Sequence, residues 1–100
     1  MSRTVIVHAE ANLELQESAL WYEARQAGLG GAFLEAVAGV IHEIAGGFDG
    51  APCTRADRAI RCASVPRLPH RVVFVGEGMS VIVLAFAHRR RRPGYWRSRR

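Results

Sequence analysis

His88 opens a run of four arginines, Arg89, Arg90, Arg91 and Arg92, and after Pro93 and Gly94 come Tyr95, Trp96 and three further arginines. From His88 to Arg100 there are seven guanidinium groups and no acid. Guanidinium forks hold phosphates and carboxylates bidentately. Aromatic rings stack on bases, and a histidine gives or takes a proton near neutral pH. A segment built this way suits a polyanionic or acidic partner: nucleic acid, a ribosome or an acidic protein segment. The bland reading is a solvated tail, with Tyr95 and Trp96 folded back to pin it to the core. Upstream, Arg61 and Arg71 stand on strand-like stretches and can occupy neighbouring strands of one sheet face.

The remaining reactive residues form no comparable constellation. Cys53 and Cys62, with eight residues between them, fit neither a disulfide framework nor a metal pattern and read as free, reduced thiols. His8, His42, His70 and His88 are scattered without an i, i+4 pair, so no metal and no cofactor is expected. Gly28, Gly30 and Gly31 are not a dinucleotide fingerprint, because no strand precedes them. Glu14, Glu17 and Glu23 read as a solvated helix face.

The 100 residues suffice for one domain, 1–100, in which 88–100 is an Arg-rich C-terminal segment. An apolar share of 49% supports one modest core and excludes a disordered chain. No apolar run approaches the roughly 20 residues of a membrane helix. The Val5-Ile6-Val7 run stops at His8 with no cleavage site, so the expected location is the cytoplasm. All fourteen basic residues are arginine. Residues 1–50 hold two of them against seven acids, and residues 51–100 hold twelve against two, so the chain is a dipole with its basic pole in the second half.

The elements that must position these groups follow from periodicity. Arg3 to His8 is β-branched and reads as a short edge strand. Ala9 to Ala27 is rich in helix formers, with Leu13, Leu20, Ala24 and Ala27 on one face, Trp21 beside it, and Leu15, Ala19 and Tyr22 almost opposite. That helix is expected to make two apolar contacts, one with a sheet and one with a second helix, and it lacks a good N-cap residue. Gly28-Leu29-Gly30-Gly31 ends it. A second helix runs from Ala32 to Ala45, with Phe33, Val37, Val40, Ile41 and Ile44 as its core stripe. Residues 48–58 read as an exposed loop. Strands are expected at Ala59 to Val65, Arg71 to Val75 and Val81 to Ala87, with a tight turn at Gly76-Glu77-Gly78. The order β-α-α-β-β-β is α+β: a helical hairpin packed on one face of a small, mainly antiparallel sheet.

These residues resemble a known family. The pieces are Ala11-Asn12-Leu13-Glu14-Leu15 and Trp21-Tyr22-Glu23; the run Gly28 to Val37; Ile60-Arg61; Leu68-Pro69-His70-Arg71-Val72-Val73-Phe74; Val81 to His88; and Arg89-Arg90-Arg91-Arg92-Pro93-Gly94-Tyr95-Trp96. In this order they resemble a RelE/ParE-superfamily toxin of a type II toxin–antitoxin (plasmid stabilization) system, over nearly the whole chain. The resemblance implies an α+β toxin neutralised by a cognate antitoxin in a hetero-oligomer. It also implies one of two targets: DNA gyrase for ParE-like members, or mRNA in the ribosomal A site for RelE-like members.

Cleavage of RNA without a metal needs a base, an acid and an arginine clamp on one concave face. Arg61, His88, Arg89 and Tyr95 are the candidates. Binding of gyrase would use Arg89, Arg90, Arg91, Arg92, Tyr95 and Trp96. Trp21, Tyr22, Arg61 and Arg71 would meet the antitoxin. The Ala87-His88-Arg89-Arg90 pattern, the absence of lysine and the long acidic first helix favour the ParE-like branch. A non-toxic nucleic-acid-binding module is a third reading, weakened because both helices carry mostly acids on their polar faces. On the toxin reading, deleting 88–100 should abolish toxicity and leave the body folded.

Overall fold

In the computed structural model, which describes residues 2–99, the β-branched run forms β1 (Thr4–Val7) and the alanine- and glutamate-rich stretch forms α1 (Ala9–Arg25). Met1 and Arg100, the ends of the expected domain, lie outside the described residues. His8 supplies the cap that α1 lacks in sequence: its Nδ1 accepts a hydrogen bond from the Glu10 amide at 3.1 Å. The second helix, α2 (Leu29–Ala45), begins earlier than expected, so Gly30 and Gly31 lie in its first turn. Gln26, Ala27 and Gly28 make the connection, and Gly28 turns it at φ +94°.

Two contacts explain this shift. The Glu23 carboxylate accepts from the Gly28 and Gly30 amides at 2.9 to 3.1 Å, which caps α2 from α1. A β-carbon on Gly30 would stand 2.7 Å from the Ala19 carbonyl oxygen, so this glycine sets how closely the helices approach. Glu23 is therefore a cap and not part of a free solvated face, and the two amides hold its carboxyl below its ordinary range.

The second half folds into β2 (Ala51–Pro52), β3 (Ile60–Ser64), β4 (His70–Glu77) and β5 (Ser80–His88), and the chain then makes a short 3₁₀ turn at Arg97–Arg99. The sheet order is β1-β5-β4-β3-β2. β1 runs parallel to β5 at one edge, and the other pairs are antiparallel. β2 interrupts the expected loop 48–58; with two residues it is too short to show alternation in sequence.

The helix pair covers one face of the sheet, where Phe33, Val37, Val40 and Ile44 of α2 meet Val72, Phe74, Val81, Val83 and Phe86. α1 contributes Ala11, Leu15, Ala19 and Tyr22, and this one face serves both α2 and β5. The opposite stripe is left open: Leu20 is 71% exposed, Trp21 53%, and Leu13 is exposed too. The two apolar contacts expected of this helix thus share a single face. The second face of the sheet is covered by the C-terminal segment, with Trp96 packed among Ile60, Val73, Val75, Leu84 and Ala87.

β5 contains a bulge. Val73 pairs with Ala85 and Phe74 with Val83, so Leu84 is the additional residue. A bulge resets strand alternation. Val81 and Val83 face the helices before it, and Phe86 does so after it. His88, two residues further, thereby lands on the helix side of the sheet, against His70.

Candidate functional site

Alternation along β4 puts His70, Val72 and Phe74 on the helix side and Arg71, Val73 and Val75 on the other. His70 sits in an aromatic nest. Its ring lies 5.0 Å from Phe33, 5.9 Å from Tyr22 and 5.0 Å edge-on from His88. It is 6% exposed and its Nδ1 has no hydrogen-bond partner. Burial, then the neighbouring charge of His88, pulls its pKa down to about 4, so it is neutral at pH 7. A cleft of about 520 Å³ opens beside it, lined by Glu17, Ser18, Trp21, Tyr22, Pro69, His70 and His88. Across Pro69 and His70, a second cleft of about 320 Å³ is lined by Ser64, Leu68, Arg71 and Arg89.

The arginine run leaves β5 as a built turn. The Arg89 amide donates to the Pro69 carbonyl at 2.7 Å, tying the turn to the start of β4. The Arg90 amide donates to His88 Nδ1 and the Arg91 amide to the His88 carbonyl, both at 3.0 Å. His88 Nδ1 is an acceptor in this arrangement, which assigns its ring proton to Nε2 in the neutral form. Arg89, Arg90, Arg91 and Arg92 are all exposed on this turn. They form a cationic surface continuous with the end of the sheet.

The residues beyond Pro93 anchor that surface. Gly94 turns the chain at φ +83°, and Trp96, 1% exposed, fills the second core with the Arg71 guanidinium 5.7 Å from its ring centre. Arg91 and Arg99 stand 4.1 and 5.1 Å from the centre of the Tyr95 ring. Arg99 donates to Glu14 at 3.0 and 3.2 Å, to Glu10 at 2.9 Å and to the Leu84 carbonyl at 3.0 Å. Glu14 in turn accepts from the Phe86 amide at 3.2 Å. β1 ends at Val7, opposite Val83, so these two β5 backbone groups take side-chain partners instead of a strand. Glu14 is a partly buried latch, its side chain 13% exposed, and not a solvated residue. Burial, with the Glu14 carboxylate close by, raises the Tyr95 phenol well above its ordinary value.

The four candidates for RNA cleavage are not brought together. His88 and Arg89 adjoin the two clefts. Arg61 pairs with Phe74 and donates to the Asp49 and Gly50 carbonyls at 2.9 and 3.2 Å, clamping the chain before β2. Tyr95 lies under the opposite sheet face. Arg61 and Arg71, expected on one face, lie on opposite faces, because register pairs Arg71 with Ser64 and Arg61 with Phe74. The expected antitoxin contacts are likewise spread out. Trp21 is exposed with Arg25 over its ring at 4.1 Å, Tyr22 lines the larger cleft, Arg61 is at the β2 margin and Arg71 lies against Trp96. Trp96, expected to meet the target, is enclosed by the fold.

Two participants had no assigned role in sequence. His70 was legible in principle, since it shares the alternation of Val72 and Phe74; Glu14 was not, because its partner is 85 residues away. Among the described residues, no group of His, Cys, Asp and Glu is arranged to hold a metal, and no helix is long and apolar enough to cross a membrane.

No family model matches the chain, and no curated protein does. Among solved structures, a chain from the chromosomal ParDE TA system of P. aeruginosa superposes with a TM-score of 0.65 at 16% identity, over 87% of this chain and 96% of that one. The likeness shows the fold: two helices packed on a mixed five-stranded sheet, of the RelE/ParE type expected from the residues.

Proposed function

We propose that this chain is the toxin of a type II toxin–antitoxin system, held inactive by a cognate antitoxin in a hetero-oligomer, and that it acts by binding DNA gyrase through the turn Arg89–Arg92. The observation that carries the reading is the fold shared with a chain of a ParDE TA system over 87% of this one. The exposed arginine turn, held by Pro69 and His88 and backed by Tyr95 and Trp96, supports a binding role. The separation of Arg61 and Tyr95 from His88 and Arg89 supports binding over cleavage. Antitoxin would cover the open Leu13, Leu20 and Trp21 stripe of α1 and the β1 edge, with acidic residues meeting the arginines.

One observation favours a second reading. Arg71 and Arg89 flank a cleft with His70 and Ser64, so two cations can hold one phosphate with His88 nearby as proton donor or acceptor. This is the geometry an mRNA-cleaving toxin would use.

Induction of the chain alone separates the two. Gyrase poisoning gives DNA breaks, an SOS response and filamentous cells with intact mRNA. Ribosomal cleavage gives translation arrest and mRNA cuts at codon positions. The informative variant replaces Arg89, Arg90, Arg91 and Arg92 by Gln. Deletion of 88–100 is not informative, because it removes Trp96 from the second core. The four-Gln chain is expected to fold and to lose toxicity; full toxicity would refute the assignment of the turn.

A further inference from the structure

The fold sorts charge by layer. Glu10, Glu14, Glu17 and Glu23 lie on α1, Glu35 and Glu43 on α2, and Asp49 follows α2, so seven of the nine acids belong to the helix side. The opposite layer, made of the C-terminal segment and the loop between β2 and β3, carries arginines. Arg91 stands over the Tyr95 ring at 4.1 Å on that side, with Arg92 next in the turn. The Arg97 guanidinium donates to Thr54 Oγ1 at 3.3 Å, which joins the segment to the loop that holds Arg55 and Arg58. These five arginines are all exposed. The loop's one acid, Asp57, accepts from the Ala59 amide at 3.0 Å, and Glu10 and Glu14 at the margin are taken by Arg99. Register sets the length of this strip. His70 pairs with His88 and Ile60 with Val75, so the arginine turn and the loop stand at opposite ends of the sheet. Five residues of β4 separate the two ends, about 17 Å along the strand. Among the described residues, the large apolar side chains left exposed lie on β1, on α1 and α2, at Phe48 and at Met79, and none on this layer.

We infer that this arginine layer is a surface for the phosphate backbone of duplex DNA, gripped at both ends of the strip without regard to base sequence. Guanidinium forks hold phosphate oxygens bidentately. A strip of about 17 Å reaches the phosphates on both sides of the B-form major groove, which is about 12 Å wide. The major groove of A-form RNA is narrow and does not match that span. An unpaired strand would need open aromatic rings, and here Trp96 is enclosed and Tyr95 is half-buried with Arg91 and Arg99 against its ring. A protein partner would need an apolar anchor at the centre of its contact, which this layer lacks. The acids of the helix side turn that side away from a polyanion and so orient the approach. Arg91 and Arg92 also belong to the gyrase surface proposed above, whereas Arg55, Arg58 and Arg97 do not, so the latter three carry the test.

The inference needs no gyrase and is tested without it, so it and the gyrase reading fail separately. The full chain is titrated onto a fluorescent, mixed-sequence DNA duplex of about 20 base pairs, with anisotropy read from about 50 to 200 mM salt. The logarithm of the affinity should fall with the logarithm of salt at a slope of about −4.5 or steeper, the release expected for five neutralised phosphates. Changing Arg55, Arg58 and Arg97 together to Gln should make the slope shallower by about 2.7, which cuts the loss of affinity across that salt range about fortyfold. Arg58→Gln alone should take off about one unit, and Arg25→Gln, an equal loss of charge on α1, should take off none. A second duplex of unrelated sequence should bind equally. Circular dichroism and the thermal midpoint check that each variant is folded, and the single Arg58→Gln result stands if the triple variant is not. No binding at the lowest salt, equal effects of Arg25→Gln and Arg58→Gln, or tighter binding to single-stranded RNA or to polyglutamate than to the duplex would overturn the inference.

Discussion

His70 makes stability depend on pH in a calculable way. Its imidazole is 6% exposed among Tyr22, Phe33 and His88, and its folded pKa is down at about 4. Unfolded, a histidine titrates near 6.5. Between those values the unfolded chain binds a proton that the folded chain refuses, so stability falls as pH falls. The contribution is whole above about pH 6.5 and is exhausted below about pH 4. The linkage integral is roughly 1 kcal/mol lost by about pH 5.5 and roughly 2–3 kcal/mol by about pH 4.5. Carboxylates titrate over the lower part of this window, Glu23 among them with its folded pKa lowered, so the wild-type curve alone does not isolate His70. The comparison is with His70→Phe, an aromatic of similar shape for the same nest that carries no proton. At pH 7.5 this variant is expected to be as stable as the wild type or more so, since it removes an unpartnered buried Nδ1. Urea unfolding of both chains at a series of pH values, followed by tryptophan fluorescence, measures the difference. With a slope of about 1–2 kcal/mol per molar, the midpoint of the variant should move ahead of that of the wild type by about a further 1–2.5 M between pH 7.5 and 4.5. Midpoints that stay parallel over that range would show that the folded chain protonates His70 freely, and the buried neutral imidazole would be refuted.

Other perturbations read other parts of the structure. Trp96→Ala should cost about 3–5 kcal/mol, as for a fully enclosed indole, and should disorder the arginine turn; a thermal midpoint within a few degrees of the wild type would mean that the tail does not close the second core. Gly30→Ala forces a β-carbon onto the Ala19 carbonyl and should cost about 1–3 kcal/mol by chemical denaturation, whereas Gly31→Ala, with open space at its β-carbon, should be neutral or better. Glu14→Gln removes the charge that meets Arg99 and should cost about 2–3 kcal/mol. A double-mutant cycle with Arg99→Gln should show coupling above about 0.5 kcal/mol, and additivity would remove the latch from the fold.

Local pattern carried much of the outcome. The β-branched run of β1, the helix formers of α1, the Phe33–Ile44 stripe and the glycine turn before β5 are each decided within a few residues, because periods of 2 and 3.6 are properties of adjacent backbone. The basic character of the second half is likewise legible without coordinates. Three decisions lay beyond any local window. The bulge at Leu84 turns Phe86 and His88 to the helix side and so makes the His70–His88 pair; its only cause is how β5 must pair with β4. Arg61 and Arg71 part to opposite faces because register, not spacing, assigns a strand residue its side. The aromatic pair at the end of the chain folds under the sheet because β5 and β3 present apolar side chains there that no helix covers, and Glu14 waits 85 residues upstream to receive Arg99. Sequence determined which groups carry charge and which segments are helix or strand; tertiary packing decided which of those groups remain free to meet another molecule, since burying one sheet face under the tail consumes Trp96 and Arg99 and leaves Arg89 to Arg92 outside.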